Sequence, residues 1–80
     1  MDRFDRKSLA TAPDGQRVLV STVRNPMTTE TLVFPVDGEG QVTSLLPLVR
    51  VKHGVDHDLD AAHESLVLDV ENGELDLIGF

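Results

Sequence analysis

Val55-Asp56-His57-Asp58-Leu59-Asp60-Ala61-Ala62-His63-Glu64-Ser65-Leu66-Val67-Leu68-Asp69-Val70 is the stretch in which the rhythm of the chain changes. Val55, Leu59, Ala62, Leu66 and Val70 recur at intervals of three and four, with Val67 beside them, and so form the apolar stripe of an amphipathic helix. Asp56 or Asp58 is positioned to cap its start by accepting a bond from a backbone N–H. The acidic first turn of Asp56, Asp58 and Asp60 suits the positive end of the helix dipole. Asn72-Gly73 supplies the stop, because glycine tolerates the left-handed conformation at the residue after a helix. The spacing therefore predicts a helix over residues 55–72.

Upstream of this stretch the period is two. Arg17–Arg24 is rich in β-branched residues and follows the turn signal Pro13-Asp14-Gly15. Val18, Val20 and Thr22 face one way and Leu19, Ser21 and Val23 the other; both sets are partly apolar, which marks a central strand. After the break at Asn25-Pro26, Thr29–Val36 reads as a second strand, paired antiparallel across a short connection. Leu32, Phe34 and Val36 are the bulkier set of that strand and are assigned to the core, with Thr31, Val33 and Pro35 on the other face. Pro35 lacks an N–H, so the strand ends there unpaired or at an edge. Asp37-Gly38-Glu39-Gly40 is a turn, Gln41–Leu46 is a short strand or irregular segment, and Leu48–Lys52 is a strand with Val49 and Val51 inward and Arg50 and Lys52 outward.

The ends are less patterned. Residues 1–12 mix charges and small residues and read as a flexible or loosely docked arm. Residues 74–80 carry Leu75, Leu77, Ile78 and Phe80 and read as a tail or an extra strand. The whole is one α+β domain over residues 1–80: a small antiparallel sheet of two to four strands from residues 17–52, covered on one face by a single helix in the C-terminal half.

Composition restricts the function. Eighty residues bury a thin core, and only 40% of them are apolar. The absence of cysteine removes disulfides and thiolate metal sites and, with no signal-like apolar run, points to the cytoplasm. A net charge of −7 disfavours direct binding to nucleic acid, which needs clustered Lys and Arg. No membrane association and no cofactor are expected. A thin core with strand edges favours self-association, with a homodimer as the simplest form.

The densest polar segment is His53–Glu64. Asp56, Asp58 and Asp60 copy the opening of a calcium loop, but Ala61 stands where the turn needs glycine and Val67 where a bidentate Glu is required. His57, Asp60 and Glu64 fall on neighbouring sides of the predicted helix and are the candidate ligands for a transition metal. Asp56, Asp60, Glu64 and Glu71 follow one helical row and are the candidate contacts to a protein partner, including a basic protein that would otherwise hold DNA. His63 borders the apolar stripe, where a hydrogen bond to a strand backbone would pin helix to sheet. As a general base it would need a nucleophile; Ser21, Ser44 and Ser65 are available, and none sits in a Gly-x-Ser-x-Gly turn. No catalytic residue is therefore assigned, and the chain is read as non-enzymatic.

Four short pieces, Val20-Ser21-Thr22-Val23, Glu30-Thr31-Leu32-Val33-Phe34, Arg50-Val51 and Ala62-His63-Glu64, resemble a group of short uncharacterised bacteriophage and prophage proteins. The resemblance covers roughly residues 18–68 and implies a small accessory protein of a mobile element, with no activity attached. The expected function is accordingly an accessory protein acting by protein–protein binding, either to itself or to a host protein. The alternatives are a DNA-mimicking inhibitor of a host or defence protein, and a metal-binding protein built on residues 53–64.

Overall fold

The structure is a computed structural model that describes residues 3–54 and 56–75. Among these, four strands form an antiparallel sheet in simple chain order, β1 (Phe4–Thr11), β2 (Arg17–Asn25), β3 (Thr28–Pro35) and β4 (Val49–Lys52), followed by one helix, α1 (Leu59–Glu71). The expected α+β arrangement is present with its full complement of four strands.

Local chemistry sets each boundary. The β1–β2 turn is closed by Gly15 N–H donating to the Ala12 carbonyl at 2.9 Å, while the Asp14 carboxylate accepts from Gln16 N–H at 2.9 Å. The β2–β3 turn is Pro26-Met27, with the Asn25 side-chain oxygen accepting from Met27 N–H (2.8 Å) and Thr28 N–H (3.0 Å). Pro35 pairs with Val18 on β2, whereas β4 reaches only as far as Val33. The missing donor therefore lies beyond the last β3–β4 pair. Between β3 and β4 the chain makes a bridge between Val36 and Val42 around a turn organised by Asp37.

Helix α1 starts later than its periodicity suggests. Asp58 is the N-cap and accepts from Ala61 N–H at 3.2 Å. Val55, the first member of the expected stripe, lies outside the described residues, as do residues 76–80 of the expected tail. Leu59 and Val70 are buried and Ala62, Leu66 and Val67 half-buried, so the stripe faces the sheet. At the C-terminus Glu74 N–H donates to the Asp69 carbonyl (2.8 Å) and Gly73 N–H to the Val70 carbonyl (3.1 Å), the paired bonds of a Schellman cap. Gly73 has φ +72°, and a Cβ there would meet Pro13 Cγ at 3.2 Å, so the cap also seats the helix end on the β1–β2 turn.

Two expectations are corrected. Residues 1–12 do not form an arm over their length: Phe4–Thr11 is a full edge strand paired with β2 from Phe4↔Arg24 to Thr11↔Arg17. Its inward positions are Phe4, Arg6, Ser8 and Ala10, a set with too little large apolar volume to advertise a period of two. The core face of β3 is also the reverse of the expected one. The register places Thr31 and Val33 beside Thr22 and Val20 under the helix, both 0% exposed, and turns Leu32 and Phe34 to the opposite face. Helix α1 packs on β1 and β2. Close approach of a helix favours small β-branched residues beneath it, so the bulky pair is left on the open side.

Candidate functional site

The helix-covered face of the sheet divides into two halves. Ala10, Val18, Val20 and Val33 meet Val70 at the C-terminal end of α1 and make up the apolar core, together with Ala12. At the other end polar residues predominate among the inward positions: Arg6, Thr22 and Thr31 form one cross-strand row with Val51, and Arg24 and Thr29 the next with Phe4. His63 descends from α1 onto this polar half. It is the largest fully buried side chain among the described residues.

His63 is held on both ring nitrogens. Nε2 lies 2.8 Å from Ser8 Oγ on β1, and Nδ1 lies 2.7 Å from Thr22 Oγ1 on β2. Thr22 Oγ1 is 2.7 Å from Thr31 Oγ1 on β3, and Thr31 Oγ1 is 2.8 Å from Nε2 of His53, the residue after β4. One unbroken hydrogen-bonded chain thus crosses the sheet beneath the helix, from Ser8 to His53. No buried side-chain nitrogen or oxygen among the described residues lacks a partner, so the polar half is satisfied. Sequence reasoning anticipated that His63 pins helix to sheet; the partners are strand hydroxyls, where a backbone group was expected. Ser8 was missed, because β1 was not recognised as a strand. Ser21, on the opposite sheet face, and Ser44 and Ser65 are not its partners.

His63 and His53, the two histidines of this hydrogen-bonded chain, are pushed toward the neutral form. Burial is the main cause for His63, with the Arg6 guanidinium acting the same way and Asp60 and Glu64 opposing it. For His53 burial again leads, followed by repulsion from His57, whose ring centroid is 5.2 Å away.

The acidic residues singled out from the sequence sit as follows. Asp58 is spent on the helix cap. Asp60 and Glu64 converge on Arg6 of β1, whose Nη1 and Nη2 donate to them at 3.0 and 3.2 Å. Asp56, His57 and Glu71 are exposed. The candidate metal trio of His57, Asp60 and Glu64 is therefore two carboxylates engaged by a guanidinium and a histidine preceding the helix. Among the described residues no three His, Asp or Glu side chains come together closely enough to hold an ion. The candidate protein-contact row Asp56, Asp60, Glu64 and Glu71 is partly neutralised by the same Arg6.

Among the described residues the opposite face of the sheet has no helix over it. Leu9, Leu19 and Phe34 are direct cross-strand neighbours on β1, β2 and β3, with Leu32 and Val23 close by. Leu9 is 51% exposed and the others are half-buried. Around this apolar row stand Lys7, Arg17, Arg50 and Lys52 against Asp5 and Glu30, so the face is basic. The chain as a whole is the reverse. Residues 53–80 hold eight of its 14 acidic residues and no Lys or Arg, while residues 1–52 hold all seven Lys and Arg and six acids. The protein is electrically two-sided, with an acidic helix segment and an apolar, basic-rimmed open sheet.

No helix among the described residues is long and apolar enough to cross a membrane. No family model, curated protein or solved structure matches the chain.

Proposed function

We propose that the chain is a small non-enzymatic accessory protein that works by binding another protein through the open face of its sheet, in keeping with the phage-type proteins its short motifs resemble. The observation that carries this reading is the Leu9–Leu19–Phe34 row: three adjacent apolar side chains on three strands, with no helix or strand among the described residues laid across them and only the loop at Gly40 approaching Leu9. A sheet has two faces to bury, and a single helix covers only one. An apolar centre with a charged rim is the composition of a protein interface. Lys7, Arg17, Arg50 and Lys52 add a preference for partner surfaces that are apolar and acidic. A second copy of the chain is the first partner to test, since face-to-face packing of two such sheets would close both open faces at once.

The DNA-mimic alternative is weaker, because Arg6 draws two carboxylates of the acidic row into ion pairs and breaks the run of free negative charge. The metal alternative is not carried further, because its carboxylates are engaged in the same pairs.

Light scattering on the purified protein, wild type beside Leu9→Glu and Leu19→Glu, tests the proposal. Wild-type protein should exceed the monomer mass in a concentration-dependent manner, and both variants should be monomers that keep the wild-type far-UV spectrum. If wild type is monomeric at millimolar concentration, and a tagged copy retains no host protein that Leu19→Glu releases, the open face is not a binding surface.

A further inference from the structure

The chain of hydrogen bonds from Ser8 to His53 ends beside an open concavity at each extremity. One is lined by Arg6, Ser8, His63, Glu64, Val67 and Leu68. The other is lined by Arg24, Asn25, Thr28, Thr29 and His53, together with Pro26 and Met27, and has a volume of about 310 Å³. The second has an unusual make-up for a protein of net charge −7: an arginine, a histidine, hydroxyl and amide groups, and no acid. Among the described residues Arg24 makes no ion pair.

Counting hydrogens shows how the two ends are connected. Between His63 Nδ1 and His53 Nε2 there are three links, His63–Thr22, Thr22–Thr31 and Thr31–His53. The two threonine hydroxyls supply two hydrogens. Filling every link requires one more, from one of the two histidine nitrogens and not from both. With the hydrogen on His53 Nε2, both hydroxyls point toward His63, whose Nδ1 is then a bare acceptor and whose Nε2–H donates to Ser8. With the hydrogen on His63 Nδ1, both hydroxyls point the other way, and His53 Nε2 accepts. The two directions are alternatives, and an imidazolium at either end dictates which is present.

We propose that Arg24 and His53 form a site for a small oxyanion, a phosphate or carboxylate group, and that Thr31 and Thr22 transmit its occupation to His63 and Ser8 by fixing the direction of the hydrogen-bond chain. An oxyanion between a guanidinium and an imidazole favours the charged imidazole and brings a proton onto His53. The charged groups facing His53 are Arg24 across the concavity and His57 on the following loop, and repulsion from His57 opposes that proton. Those facing His63 are Arg6 from β1 and Asp60 and Glu64 from α1. Charged His53 must donate through Nε2, which leaves His63 neutral, with its hydrogen on Nε2 and directed at Ser8. A second proton on His63 would strand one hydroxyl hydrogen in a buried site, which separates the two protonation steps by about one to two pH units.

The test is histidine side-chain ¹⁵N NMR on the intact chain during pH titrations in sodium phosphate, sodium acetate and sodium chloride of equal ionic strength. Phosphate or acetate, but not chloride, is expected to raise the His53 midpoint by about one pH unit and to drive His63 to the Nε2–H tautomer. The arm with the larger shift identifies the anion class. Arg24→Gln should remove the shift. In Thr31→Val the His53 shift should persist while the His63 response disappears, and Thr31→Ser should restore it. Failure of both anions to move His53, or a shift unchanged in Arg24→Gln, overturns the site. A His63 response surviving in Thr31→Val overturns the relay. Wild-type titrations decide the relay even if Thr31→Val does not fold: two histidines gaining second protons at the same pH, as independent groups, would rule it out.

Discussion

Beneath the helix the sheet presents Val18, Val20, Val33, Thr22 and Thr31, each 0% exposed. On its other side stand Leu9, Leu19, Leu32 and Phe34, bulkier and more apolar, and all partly in water. The difference separates hydrophobicity from burial. A helix resting on a twisted four-stranded sheet leaves little depth over β1 and β2, so the covered face takes short branched side chains and fills its polar half with hydroxyls and one imidazole. The large residues have no room there. They gather on the face that no helix among the described residues covers.

The strongest way to break this contrast is at His63. His63→Ala opens a cavity and leaves the Ser8 and Thr22 hydroxyls without their buried partner, a loss of about 3 kcal/mol. A chain of this length has only roughly 4–12 kcal/mol in hand. The variant should melt about 12–24 °C below the wild type, as read by thermal denaturation; an unchanged melting temperature would show that the polar half contributes little.

The faces can be compared directly with a matched pair. Val20→Ala should lower the free energy of unfolding by about 2 kcal/mol from lost burial and cavity formation. Phe34→Ala removes more atoms from the open face, yet should lower it by only about 1 kcal/mol in dilute protein, because much of that ring is already hydrated. Urea titrations give both values. Should Phe34→Ala cost more than Val20→Ala in the monomer, the open face is part of the core and its role as an interface fails.

Acidity should act on the covered face alone. The folded state holds His63 and His53 below the ordinary value of 6.5, so the unfolded chain takes up protons first as the pH falls. Stability is therefore full above pH 6.5 and declines as the pH drops through 6.5. It levels off below the folded-state midpoints, with a slope of at most about 1.4 kcal/mol per pH unit per histidine. Open-face variants should keep this profile and His53→Gln should flatten it, as urea midpoints at pH 7.5, 6.5 and 5.5 would show.

The smallest effect is expected at Arg6. Its ion pairs with Asp60 and Glu64 are solvent-exposed, so Arg6→Gln should cost no more than about 1 kcal/mol. The same change removes a cation that disfavours charging of His63 and frees two carboxylates that favour it. The His63 midpoint should accordingly rise, measurable by NMR.

The sequence carried much of the fold in its periodicities. The β2–β3 hairpin, β4, the helix, and its caps at Asp58 and Gly73 all follow from alternation, the three-and-four stripe, and turn chemistry. What it hid has a common cause. Phe4–Thr11 places Arg6, Ser8 and Ala10 inward, so no apolar alternation marks it as a strand. On β3 the apolar signal of Leu32 and Phe34 outweighed that of Thr31 and Val33, and pointed at the wrong face. The hydrogen-bonded chain was illegible for the same reason, since it joins small polar residues from three strands, whose register only the fold reveals, to His63 on α1 and His53 after β4. His63 was visible at the border of the stripe; its partners, 55 and 41 residues away in the chain, were not.

Those separations also bear on the order in which the molecule assembles. Each strand pairs only with its neighbours in the chain, so the sheet can zip up hairpin by hairpin, with short loops to close before β3 and a longer one, residues 36–48, before β4. The helix must then return over β1 and β2, and His63 finds Ser8 and Thr22 at that last step. Opening should retrace the path. Lifting α1 wets the threonine pair first while the hairpins hold, so amide exchange of the helix should outpace that of β2.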